Sequence, residues 1–447
     1  MMRFVIIFLA IATFAVILWP SSGSVSLPLH AQSNITISSK VKCDPDVDRL
    51  RRMDVAKLAK YTRREIIAEF SLDDLPMTQQ VDLPMMDQKV NPPKPGATPG
   101  AMDGCTVPTP LTITVPQPPK LPDASHIDFG VATTVSRLNE SLDQFVHWAG
   151  YTRTRIFALI EPDESGLGVQ SVRAKADAMG INLIITEAED DYLHRGPASS
   201  MTTPFSPSMP ALVDALGAYD HTKPMYIGGL SEGVPQIAVF GLIAFGGAGV
   251  FLSRPLLSDL TAVYDECEQM TFTGDRRIAQ CIYQYTTTRM TVDHRFHQLD
   301  LMRDASGFFE SGRELPLSVH HWKSWFQADI PKLSVISELC GPTCLLRRWK
   351  FSDGWMLTNG FSVVKYGWMP GPNDLSMEMT WEPHNGANSD SYLHELGPLR
   401  HKDDEKVSYL LVDSAVDENG GVSQWYIKRD ANDGDEILEL SWRKQQI

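Results

Sequence analysis

Residues 226–253 read YIGGLSEGVPQIAVFGLIAFGGAGVFLS, and the fold is decided by how this stretch is understood. Seven glycines interrupt a run that is otherwise aliphatic and aromatic. Glycine weakens the interior of a strand or helix, so such a cluster marks backbone that comes close to something, a ligand or another strand. Gly246-Gly247-Ala248-Gly249 is its centre. Taken alone, that tetrad also reads as a glycine-rich packing turn.

Upstream, three short apolar runs have the length of buried strands: HIDFGVATT (126–134), TRIFALIEPD (154–163) and INLIITEAEDD (181–191). KPMYIGG (223–229) is a fourth, and it runs into the glycine stretch. Between the first two, Val135, Leu138, Leu142, Phe145, Val146 and Ala149 recur at helical spacing. SVRAKADAMG, before the third, predicts a helix that stops at Gly180. Strand and helix alternate, which predicts an α/β doubly wound sheet with its ligand site beyond the carboxyl ends of the strands.

The chain has 447 residues and a formal charge of −15. That length allows two or three domains, and that charge argues against nucleic acid as a partner. Residues 4–19 are apolar apart from Thr13, with Arg3 before them and Trp19-Pro20 after. This predicts a signal-anchor over residues 1–20, with a cleaved signal peptide as the alternative and the rest of the chain in the lumen. In that oxidising compartment Cys267–Cys281 and Cys340–Cys344 are candidate disulfides, and Asn34 and Asn139 head glycosylation sequons.

Residues 21–124 read as a stem. Residues 48–70 predict one charged helix with Val55, Leu58, Ala59 and Ile66 on a common side, and a proline-dense spacer follows. Past Cys344 the pattern is β, with Asn359-Gly360 as the hairpin signal, and residues 345–447 read as a β-rich C-terminal module.

FGVATT, HWAGYTRTRIFALIEPD, YIGGLSE, IAFGGAGVFLS, TGDRRIAQCIY and LSVHHWKSW occur in this order. Together they resemble the fungal members of glycosyltransferase family 31, relatives of Fringe and the core β-1,3-galactosyltransferases. The resemblance implies a GT-A-type head, residues 125–344, on a type II Golgi membrane glycoprotein. It implies inverting, Mn2+-dependent hexosyl transfer from a UDP-sugar donor to a glycan or glycoprotein acceptor. It further implies donor contacts from Gly228, Gly229, Phe245, Gly246, Gly247 and Gly249, and an acidic catalytic base at Asp275. An inverting transfer needs such a carboxylate to take the acceptor hydroxyl's proton. Without the resemblance, Asp275 reads as a helix N-cap ahead of RRIAQCIYQY. His320 and His321 fall where the family supplies an imidazole to the metal. Adjacent residues of a strand point to opposite faces, so only one of them is expected to bind it. Trp322 and Trp325 are candidates to stack on a sugar, or else core residues.

One implied element is absent from the sequence. The family carries a strand ending in an Asp-x-Asp motif between the segments that match EDDYLHR and PSMPAL. Here Arg195 runs into GPASSMTTPFSPSMPAL, with no aspartate from Leu193 to Val213. Met201 to Ser206 is compatible with DDDTFFP read one base out of frame, and Gly196 to Ser200 with WACLI in the same shifted frame. Asp190 and Asp191 are weak substitutes as metal ligands, and His294-x-x-His297 is weaker still. The sheet is therefore expected to lack a central strand. The alternative function is a catalytically inactive homologue or a glycan-binding protein. A remote alternative is a serine hydrolase, because Gly229-x-Ser231-x-Gly233 matches the nucleophile elbow, with Val234-Pro235 speaking against immediate entry into a helix.

Overall fold

The computed structural model describes residues 4–8 (as backbone), 35–39, 41, 44–86, 109–161, 165–187, 205–270, 274–368, 374–383 and 386–445. The chain is mixed α/β and divides into two compact units. One takes its described residues from 4–8, 119–331 and 375–402; the other takes them from 35–118, 332–374 and 403–445.

The first unit is built on a seven-stranded sheet. Its order is Met290–Val292, Tyr226–Gly228, Val250–Ser253, Phe4–Phe8, Ile127–Thr134, Arg155–Glu161, Asn182–Glu187. Val250–Ser253 runs antiparallel to both of its neighbours, and every other pairing is parallel. The strands expected over 126–191 lie next to one another in chain order and pair parallel, as strand–helix–strand connections allow. Helix Val135–Ala149 links the first two of them. It buries Val135, Leu138, Leu142, Phe145 and Trp148, and the Trp148 ring lies 4.7 Å from Phe129 of the sheet. Helix Val169–Ala178 ends as expected just before Gly180, whose φ of +66° suits glycine. A second core joins Tyr226, Phe245, Val250, Leu252 and Leu256 to Ala279 and Ile282 of helix Gly274–Tyr285.

The sheet does have a central strand, and it comes from an unexpected place. Phe4–Phe8, read from sequence as the start of a membrane anchor, occupies the middle of the sheet. Residues 9–20 of that anchor lie outside the described residues. Among the described residues no helix is long and apolar enough to cross a membrane.

The second unit is a ten-stranded sheet. The hairpin expected at Asn359-Gly360 is present, with Trp355–Thr358 and Ser362–Lys365 paired antiparallel and Gly360 at φ +80°. Val407–Val416, Val422–Lys428 and Asp435–Lys444 extend the sheet as a meander.

The stem expectation meets a different structure. Residues 48–70 are not one helix: a short helix, Val47–Arg52, is followed by the strand Lys57–Ser71. Tyr61, Thr62, Ile66, Ile67 and Phe70 favour the pleated conformation, and Arg64, Ile66 and Ala68 alternate inward. This strand lies between Asp435–Lys444 and Leu111–Pro116, parallel to both. Helical spacing of Val55, Leu58 and Ile66 was therefore fortuitous: these residues are buried, but on a turn and a strand. The buried Arg64 guanidinium donates to the carbonyls of Thr109 (2.5 Å) and Pro84 (3.0 Å), tying two connecting segments to the sheet. The proline-dense residues 87–108 lie outside the described residues. SMEMTWEP, expected in the C-terminal module, belongs instead to the first unit, where Met377–Glu378 pairs with Leu399–Arg400.

Candidate functional site

The site gathers at one edge of the seven-stranded sheet, where the parallel strands end and the antiparallel Val250–Ser253 begins. Ser231 and Glu232 follow Tyr226–Gly228, Asp300 follows Met290–Val292, and Gly246–Gly249 lead into Val250. This is the carboxyl edge at which open α/β sheets bind their ligands.

Asp275, in the first turn of helix Gly274–Tyr285, is 1 % exposed. Its Oδ2 accepts the Gly246 N–H at 2.7 Å, while Oδ1 has no hydrogen-bond partner among the described residues. It thus holds the glycine turn as well as meeting amides at its own helix start. Burial, with a smaller push from Asp300, raises its pKa to about 7 against the pull of the Gly246 and Arg276 amides. A carboxyl group balanced near neutrality is suited to proton transfer.

The glycines have reasons within the protein. A Cβ on Gly247 would stand 2.1 Å from His320 Nδ1 and 2.5 Å from Gln298 Oε1, and Gly249 has φ +106°. The close approach is therefore to another segment of the chain, one of the two possibilities left open by the sequence. Gly247→Ala is expected to cost about 1–3 kcal/mol by overpacking, read by denaturant unfolding. Gly228 ends its strand, Gly229 follows it and accepts the Phe245 N–H at 3.0 Å, and the buried Phe245 packs edge-on against Phe240.

Around Asp300 is a second buried network. Asp300 Oδ2 accepts the Ser231 hydroxyl at 2.5 Å, and Oδ1 lies 3.2 Å from His321 Nε2. Its own N–H donates to Glu232 Oε2 at 3.1 Å, and Glu232 Oε1 meets His297 Nδ1 at 3.3 Å. Gln298 Nε2 reaches the same His321 nitrogen, at 3.2 Å. Leu299 between them has φ +55°, and this left-handed residue lets both its neighbours reach one imidazole.

His320 and His321 do not lie on a strand with rings on opposite faces. His321 takes φ +57°, which folds the chain back and leaves the two rings 4.2 Å apart. The His321 ring also stacks on Trp325, at 4.3 Å and 14°, and its Nδ1 meets Ser324 Oγ at 3.0 Å. Trp322 is 2 % exposed and packs in the core; Trp325 is half-buried with one face against His321.

The donor set does not fit a resident divalent cation. Asp300 and His321 are brought together, but both are engaged with protein partners, and hard-cation sites need more oxygen ligands than this pair supplies. Among the described residues no group of three or more His, Cys, Asp or Glu side chains is arranged to hold a metal. Asp190 and Asp191 lie outside the described residues. His294 and His297 are not on a helix and meet different partners, Glu395 and Glu232.

The elbow reading improves in one respect and fails in another. Helix Val234–Phe240 does begin directly after Gly233, with Pro235 tolerated in its first turn, so strand, serine and helix follow as an elbow demands. Ser231, however, is fully buried, and its hydroxyl donates to Asp300. The carboxylate stands between hydroxyl and imidazole, where a triad needs the imidazole between them. Ser231→Ala is expected to lower stability by about 1–2 kcal/mol and to leave any transfer or hydrolysis of a sugar nucleotide in place, measured by product release.

Of the remaining residues, Cys267 is bonded to Cys281 and Cys340 to Cys344. Asn139 is half-buried on helix Val135–Ala149, and Asn34 lies outside the described residues. Asp300, Glu232 and Gln298 had no sequence signal. Their partners lie from 21 to 69 positions away, and no short spacing encodes that.

Residues 237–338 match the family model described as "Protein of unknown function, DUF604". The match spans Gly246–Gly249, Asp275, Asp300, His320 and His321, and begins just after Ser231 and Glu232. No curated protein matches the chain.

Proposed function

We propose that the seven-stranded unit is a glycosyl-transfer site of the inverting β-1,3 type, with a UDP-sugar as donor and a glycan or glycoprotein hydroxyl as acceptor. The observation that carries this reading is Asp275, a buried carboxyl group raised to about 7 and tied to the Gly246 amide. The mixed sheet supports it, with one antiparallel strand, Val250–Ser253, beside its central strand. So does the matched family model, which is linked to proteins of the β-1,3-glycosyltransferase kind. In this reading Asp275 takes the acceptor hydroxyl's proton as that oxygen bonds to the anomeric carbon. The bond from that carbon to the diphosphate breaks on the opposite face, and its electron pair leaves with UDP. The glycine turn forms the donor-facing wall. We place the protein in the Golgi membrane system, with its folded part lumenal.

A second reading, an inactive homologue that retains glycan binding, is favoured by the shortage of carboxylates around His321. Both are tested by measuring UDP-sugar hydrolysis with and without Mn2+. The comparison is between this chain and a variant in which WACLIDDDTFFP replaces residues 196–207. The transfer reading expects weak or no turnover in the first and Mn2+-dependent turnover in the second. Equal rates in the two would overturn the account of the missing motif, and no turnover in either would favour the inactive homologue.

A further inference from the structure

The geometry points to a strand-acceptor slot at the centre of the seven-stranded sheet, filled in cis by Phe4–Phe8, so that sheet insertion and membrane insertion of the N-terminal apolar run exclude each other. The slot has two walls. On one side Phe4 to Phe8 pair parallel with Ile127 to Val131; on the other, Phe4 to Ile7 pair antiparallel with Ser253 to Val250. Both walls are anchored independently of the filler, Ile127–Thr134 by Arg155–Glu161 and Val250–Ser253 by Tyr226–Gly228. Removing the filler would leave two facing rows of amides and carbonyls without partners in the middle of a buried sheet, a state proteins avoid.

The same residues have a second possible environment. Residues 4–19 are apolar, and as one uninterrupted run they approach the length of a membrane span. With Phe4–Phe8 in the sheet, only the eleven residues 9–19 remain. As a helix these reach about 16 Å, roughly half of the hydrocarbon thickness of a bilayer. The run therefore serves one environment at a time.

The test uses the full chain expressed with microsomal membranes, followed by separation of soluble and membrane-integrated molecules. Ile6 is the direct partner of Phe251, so the pair Ile6→Cys and Phe251→Cys is expected to form a disulfide in soluble molecules, mapped by peptide mass spectrometry. Ile6→Cys with Leu252→Cys, one residue out of register, is expected not to form it. Membrane-integrated molecules are expected to lack the first cross-link. Hydrogen exchange on the unsubstituted chain provides a second reading that does not depend on how the paired variants fold. Amides of residues 4–8 are expected to exchange at least a hundredfold more slowly in soluble molecules than in an unstructured peptide. Two results overturn the proposal: fast exchange at residues 4–8 in soluble molecules, or the in-register cross-link in membrane-integrated molecules.

Discussion

Asp275→Asn abolishes proton acceptance at the proposed transfer site, and the expected loss of rate is about 10²–10⁴-fold, measured as sugar transfer or UDP release in the chain that carries WACLIDDDTFFP at residues 196–207. The substitution keeps the shape, and the asparagine oxygen still accepts the Gly246 N–H, so the turn stays in place. What changes is the response to pH. The Asp275 carboxyl is raised to about 7 in the folded chain, chiefly by burial, from an ordinary value of 3.8. Between those two values the folded chain keeps a proton that the unfolded chain has lost. Stability therefore falls as pH rises from about 4 to about 7, then levels off. The gradient corresponds to a cost on the order of 4 kcal/mol at neutral pH and above. Asp275→Asn removes it. Thermal unfolding at pH 8 should occur at a higher temperature in the variant than in the parent, and the gap should shrink toward pH 4. A catalytic reading of Asp275 fails if activity survives the substitution. The burial argument fails if the two unfolding curves shift in parallel across that range.

The strands and helices over residues 126–187 were legible because each is a local pattern. HIDFGVATT is short and apolar and forms a buried strand as expected, whereas INLIITEAEDD gives the strand Asn182–Glu187 at the edge of the sheet, where only Ile185 is buried. The second unit was misread for the converse reason. Lys57–Ser71 carries six charged side chains, and nothing local tells that Arg63 will pair with Glu439 or that Arg64 will be buried on the carbonyls of Thr109 and Pro84. Its strand character depends on partners some 45 to 380 positions away. Phe4–Phe8 is the sharpest case. An apolar run reads the same whether lipid or two neighbouring strands will surround it, and only the presence of an open slot decides. Within the site, Asp275 and the glycine turn were found by resemblance, while Asp300 was not. It lies in QLDL, a tetrapeptide without periodicity or motif, and acquires its role from Ser231, Glu232 and His321.

Asp300→Asn is expected to move the behaviour of Asp275 without touching it. Asp300 is 4 % exposed and repels ionisation of Asp275. Removing that negative charge makes the Asp275 proton easier to lose, so its folded-state pKa falls from about 7 toward its ordinary value. The pH at which stability levels off should move down, and any base-dependent rate should reach its plateau at a lower pH than in the parent. Stability is affected separately, because His321 loses its carboxylate partner and the Ser231 hydroxyl exchanges a carboxylate acceptor for an amide. Hydrogen bonds to charged groups contribute about 1.5–3 kcal/mol, and a loss of that order is expected. Unfolding followed from pH 4 to pH 9 in both proteins separates the two effects, since one displaces the pH profile and the other lowers it. A lowered profile with an unmoved inflection would mean that Asp300 is structural and that burial alone sets Asp275. A displaced inflection would show that Asp300 adds to burial in keeping the base poised near neutrality, and would join the two buried networks into one site.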